Sequence, residues 1–231
     1  QAGAELTGLL MKQPSAWKWA RPGLRKMPRA ADRRDMKLRL IELLSYDTDA
    51  ESMEVLAAEL AANDKGFPVR AIIRMDWNGA PGADKALDKI VAEKPAFRNL
   101  EAAIHLGLKG NKNAKPVLDW AVKSGAGSRQ IYGLSYATAI ACKRLGDADP
   151  WLSLSKRAQD EVETYLKKDD LNTALHYAAQ LEFYSKLADG RGRIEYLALP
   201  GECAVHIKAR RAEVKTTEDV RKMLQGCLAK T

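Results

Sequence analysis

The stretch AFRNLEAAIHLGLKGNKNAKPVLDWAVKSG, Ala96–Gly125, decides how the chain is read. Phe97, Leu100, Ala103, Ile104 and Leu108 recur at helical spacing. Gly110-Asn111-Lys112-Asn113 then breaks the periodicity with a glycine and three polar residues. Pro116 suits the first turn of a second helix, where a missing N–H costs little. That helix carries Val117, Leu118, Ala121 and Val122 on one face. The pattern predicts a helical hairpin with an apolar stripe on each arm.

The same pattern recurs at a period of about 31 residues. One step back, Val69, Ile72, Ile73 and Trp77 stand for Leu100, Ala103, Ile104 and Leu108, and Gly79 stands for Gly110. Ala83, Leu87, Asp88 and Val91 stand for Ala114, Leu118, Asp119 and Val122. A further step reaches Leu38, Ile41, Tyr46, Ser52, Leu56 and Leu60, with Glu42 and Thr48 departing from the pattern. Stacked hairpins are the physical meaning of such a period, because one hairpin cannot bury its apolar face alone. Leu38, Val69 and Leu100 are therefore expected at equivalent buried positions, as are Leu56, Leu87 and Leu118.

From about Arg34 to Lys168 the chain resembles the HEAT-like helical repeat family in its short form. The resemblance rests on hairpin length, apolar spacing, and small residues at Ala102, Ala103, Ala137 and Ala141. Tetratricopeptide-like repeats share the hairpin, but their Trp, Gly and Tyr spacing is not met in successive units. The resemblance implies an all-α fold, an α-solenoid of stacked antiparallel hairpins, and binding along an extended surface. It also admits an enzyme similar to the HEAT-like bilin lyases. The paired His-Glu iron ligands of HEAT-like hydroxylases are missing: Leu106, Tyr177 and Ile207 follow His105, His176 and His206.

Three segments follow: a basic N-terminal arm or cap over residues 1–31, helical repeats over 32–189, and a C-terminal helical cap over 190–231. Pro14, Pro22 and Pro28 forbid a long helix in the arm. The fourth hairpin starts near Ser128, with its second helix over Trp151–Lys168, and Asp170–Ala188 makes a further helix. Arg193–Leu199 reads either as a short strand or as a helical turn, closed by Pro200-Gly201. Cys203–Glu213 and Thr216–Leu228 read as a final hairpin.

The net charge is +8, and the segment from Lys12 to Arg39 holds ten basic against two acidic residues, which equals the whole excess. The C-terminal segment is also basic, so the repeats between are mildly acidic. Trp17, Lys18, Trp19, Arg21, Arg25, Lys26, Arg29, Arg33 and Arg34 are the candidate binding residues. As an arm with interleaved aromatic and basic groups they would grip a protein partner of acidic character, nucleic acid, or anionic headgroups. Alternatively the tryptophans pin an irregular segment onto the first repeat. The acidic repeats count against nucleic acid, whose backbone calls for a groove basic along its length.

Cys203 opens the penultimate helix and Cys227 closes the last, so an antiparallel hairpin would bring them together as a disulfide. The alternative is a pair of thiols in a cytoplasmic protein. Cys142 falls on an apolar face and is expected to be a buried thiol. A disulfide would put the protein in the periplasm or outside the cell. The chain begins at Gln1 rather than methionine, which a removed signal peptide would explain. No apolar run is long enough for a transmembrane helix, and the cysteine spacing does not suggest zinc or another metal. With no nucleotide-binding or triad spacing, no catalytic residue and no cofactor is assigned. The expectation is a non-enzymatic scaffold or adaptor that binds a protein partner, with a nucleic-acid-binding solenoid and a HEAT-like lyase as alternatives.

Overall fold

A computed structural model describes residues 20–26, 34–62, 66–125 and 132–228. Among these residues the fold is all-α, with no strand. Residues 20–26 are helical. The helices that follow are α1 (Arg34–Leu44), α2 (Ala50–Ala62), α3 (Val69–Trp77), α4 (Ala83–Ala92), α5 (Phe97–Leu108) and α6 (Lys115–Ser124). Then come α7 (Tyr132–Arg144), α8 (Asp149–Lys167), α9 (Leu171–Asp189), α10 (Leu199–Glu213) and α11 (Thr217–Leu228). The chain divides into two compact units, Gln1–Glu93 and Lys94–Thr231. The segment 32–189, expected as helical repeats, spans the boundary between the two.

The turn after α5 shows why the hairpin forms. Gly110 has φ +81°, a conformation that costs a side chain, and the Asn111 N–H reaches back to the Leu106 carbonyl at 2.9 Å. Gly79 closes α3 the same way, with the Ala80 N–H donating to the Met75 carbonyl at 2.8 Å. The two glycines matched in the sequence therefore perform the same capping task. Pro116 lies in the first turn of α6, as its missing N–H requires.

In the first unit α1 packs on α2 and α3, and α3 packs on α4. Arg74, near the end of α3, donates to the Ser45 hydroxyl at 3.3 Å and lies 3.6 Å over the Tyr46 ring. The C-terminal ends of α1 and α3 therefore meet. In the second unit α5, α7, α9 and α11 form a row, each packed on the next, while α6 and α8 pack on the odd helices beside them. Arg144 at the end of α7 donates to the Leu108 carbonyl at 2.7 Å and the Gly192 carbonyl at 2.8 Å. It thereby joins the C-terminal ends of α5, α7 and α9. Odd helices running in one direction within each unit are what a stack of hairpins requires, and the packing of neighbours is consistent with that arrangement.

The repeat positions are buried unevenly. Leu56, Leu87 and Leu118 are each 0% exposed. Of the other set, Leu100 is buried while Leu38 and Val69 are half-buried. Val69 is the first residue of α3, so no preceding turn of its own helix shields it. Helix α5 is buried nearly all round, including Asn99, His105 and Leu106, because α6 and α7 both pack on it. Phe97 and Val122 lie on the expected apolar stripes yet remain exposed. In the second unit's core the Tyr136 and Tyr184 rings stack at 4.6 Å and Trp151 is fully buried beside Tyr136.

The C-terminal region departs from expectation. Of the two alternatives left open there, residues 196–198 take the turn and not the strand, while Pro200 opens α10 within its first turn instead of closing the preceding segment. Helices α10 and α11 each pack against α9 rather than forming a closely paired hairpin of their own. The disulfide expected between Cys203 and Cys227 is absent: the two residues are buried thiols, as is Cys142. The expectation assumed that α10 and α11 cover each other, whereas both spend their apolar faces on α9. With the bond goes the argument for an oxidising compartment.

Candidate functional site

Two of the candidate binding arginines have partners inside the first unit. Arg21 holds Asp47 through two hydrogen bonds, at 2.7 and 2.9 Å, and its other amino group lies 3.4 Å from Asp49. Arg25 donates to Ser52 at 3.0 Å and pairs with Asp49 and Glu51. Ser52 in turn donates to Asp47 at 2.6 Å. Burial alone would raise the Asp47 pKa, but the hydrogen bonds from Arg21 and Ser52 outweigh it and hold the carboxyl below its usual range. The turn before α2, Asp47-Thr48-Asp49, thus receives the helical segment 20–26 as a cap, with Leu24 buried. Lys26 is exposed. Trp17, Lys18, Trp19, Arg29 and Arg33 lie outside the described residues, and so does the side chain of Arg34.

One opening lies in the second unit. A groove of about 480 Å3 runs between the end of α6, the middle of α7 and the start of α8. Its apolar wall includes Ala121, Val122, Ala139, Pro150 and Leu154. Asp147 and Asp149 stand at one end of the α8 segment that lines it, and Arg157 at the other. Arg157 follows Asp149 by eight positions, about 12 Å along a helix. Val122, 44% exposed, is on the groove wall. A large apolar side chain left half in water on a groove wall marks a surface able to take apolar groups from elsewhere. Lys115 ties α6 to this corner by pairing with Asp119 at 2.7 Å and approaching Asp147 at 3.9 Å.

A second, more polar cleft of about 390 Å3 lies between α9, α10 and α11. Its floor is organised by Glu182, which accepts from Arg210 Nε at 2.7 Å and from Lys186 at 3.1 Å and lies 2.9 Å from His206 Nε2. Burial pushes the Glu182 pKa up, but hydrogen bonds from Arg210, Lys186 and His206 outweigh it and hold the carboxyl down at about 2. Nothing in the sequence singled this cluster out, because Glu182 and Arg210 are 28 residues apart on different helices. The only local signal was the i, i+4 spacing of Glu182 and Lys186.

Burial pushes the Cys142 and Cys203 thiols up to about 11, so neither is an ionised nucleophile at neutral pH. No group of His, Cys, Asp and Glu among the described residues is arranged to hold a metal ion. No described helix is long and apolar enough to cross a membrane. Comparisons with protein-family models, with curated proteins and with solved structures find no match to the chain.

Proposed function

We propose that the chain is a HEAT-like helical-repeat adaptor whose second unit binds a segment of a protein partner in the groove between α6, α7 and α8. The observation that carries this reading is the half-exposed Val122 on the apolar wall of a groove of about 480 Å3 with charges at both ends. A volume of that size accommodates a few side chains, and the charged ends would fix their orientation. The contact surface is therefore assigned to the groove rather than to the basic arm. Arg21 and Arg25 are already neutralised by Asp47, Asp49 and Glu51, so an acidic partner would have to displace those pairs.

The test is site-specific photo-crosslinking in cells. A photoreactive phenylalanine analogue at Val122 should give an adduct with one discrete protein. The same group at Val205, which is 71% exposed on α10, should not. Leu154→Asp should abolish the adduct at Val122, since a charge in the apolar wall would be desolvated on binding. Equal labelling from both positions, or no adduct from Val122, would remove the groove from consideration. Turnover of a small molecule by the purified chain would overturn the adaptor reading altogether.

A further inference from the structure

The cleft between α9, α10 and α11 has a hydrogen-bonding imbalance that its packing does not use. Both of its carboxylates are occupied from within. Glu182 is held by Arg210, Lys186 and His206. Asp219 accepts from the Thr216 N–H at 3.0 Å and the Thr216 hydroxyl at 2.7 Å, and so caps α11. Arg210 is likewise committed, to Glu182 and to Glu213 at 2.6 Å. What remains is donor capacity. Lys222 lines the cleft with no ion-pair partner among the described residues, and Lys186 is more than half exposed with a single acidic partner. Ser185 also lines the cleft; it is 4% exposed, and its buried hydroxyl has no hydrogen-bond partner. A buried hydroxyl left unmatched costs free energy that a bound acceptor would recover.

The lining carries three cationic and two anionic side chains, an excess of one positive charge. Val214 and Met223 supply apolar wall next to these donors. We propose that this cleft is a binding site for a small organic carboxylate, its head held by Lys222 and the Ser185 hydroxyl and its apolar body laid on Val214 and Met223. A single negative charge matches the excess. A volume of about 390 Å3 exceeds what the head group alone would fill, which is why the ligand needs a body. A charge-assisted hydrogen bond from lysine, in a cleft already stripped of competing acceptors, supplies the selectivity for an anion.

The experiment titrates the isotope-labelled full chain with sodium hexanoate, following backbone amide resonances at constant ionic strength. Hexan-1-ol and inorganic phosphate serve as parallel probes, one lacking the charge and the other the apolar body. Hexanoate should give saturable shifts centred on Ser185, Lys222 and Gly226, and both other probes should bind at least about ten-fold more weakly. Lys222→Met should weaken hexanoate about ten-fold while leaving hexan-1-ol unchanged, since it removes one charge-assisted bond. Because Lys222 is exposed, that variant keeps the fold, which the unchanged remainder of the spectrum would verify. Ser185→Ala should weaken hexanoate as well. The proposal is overturned if hexanoate does not saturate these resonances, if phosphate binds as tightly as hexanoate, or if Lys222→Met leaves the hexanoate affinity unchanged.

Discussion

Gly107→Ala tests how closely the row of odd helices is packed. Gly107 lies inside α5, where alanine is normally the better helix former by about 1 kcal/mol. In isolation the substitution would therefore stabilise. In the folded chain a Cβ at this position would lie 2.9 Å from the Ala141 Cβ on α7 and 2.9 Å from a Leu118 methyl on α6. Leu118 is 0% exposed, so its methyl has little room to move, and Ala141 can retreat only if the backbone of α7 retreats with it. Overpacking of this kind costs ~1–3 kcal/mol, and two simultaneous close approaches place it in the upper half of that range. Offset by the propensity gain, the net destabilisation should be about 1–2 kcal/mol, a fall in Tm of about 5 °C. Urea unfolding followed by far-ultraviolet circular dichroism measures it. Ala141→Gly alone should cost about 1 kcal/mol through propensity, but in the double variant it should relieve the clash, giving a coupling of ~1 kcal/mol or more. If Gly107→Ala stabilises the protein, or the two changes simply add, α5 and α7 are not in the close contact described.

Three further outcomes are expected. Asp47→Ala should destabilise the first unit by about 2–3 kcal/mol, measured by urea unfolding, because it strands Arg21 and Ser52; a cost near zero would mean that segment 20–26 is not seated on the turn. Glu182 has a folded pKa held below its ordinary value, so its contribution is fully present above about pH 4.5 and is lost as pH falls towards about 2. Lowering a carboxyl from 4.5 to about 2 corresponds to ~3 kcal/mol, and solvent screening at half-exposed Lys186 reduces this to about 2 kcal/mol. Glu182→Gln should therefore flatten the loss of stability across that window, and an unchanged acid profile would count against the cluster. Finally, thiol titration of the denatured, unreduced protein should find three reactive thiols; finding one would restore the bond between Cys203 and Cys227.

Helix identity and the turns were legible because they depend on local chemistry. Apolar spacing selects the helical period, and Gly79 and Gly110, equivalent in the sequence pattern, share a positive φ. Leu56, Leu87 and Leu118 were likewise placed correctly, since each sits in the middle of an amphipathic helix whose buried face is set by its own stripe. The sequence marks Ala141 as a place of close helix packing but carries no such mark at its counterpart Gly107. Which small residue meets which is decided by the docking of α5 on α7, and that has no local signature.

The same divide explains the sites. The sequence by itself determined that the chain forms short amphipathic helices joined by capped turns, that its positive charge gathers near the N-terminus, and that Cys142 is buried. Only the tertiary structure decided how those charges are used: Arg21 and Arg25 meet Asp47, Asp49 and Glu51 because the segment 20–26 folds back on the turn before α2. Only it decided that α10 and α11 bury their apolar faces on α9, which separates their roles and leaves Cys203 and Cys227 as thiols. The physical reason is range. Periodicity, capping and turn conformation act over a few residues, whereas ion pairs such as Glu182 with Arg210 form between residues that the chain brings together only after its helices have docked.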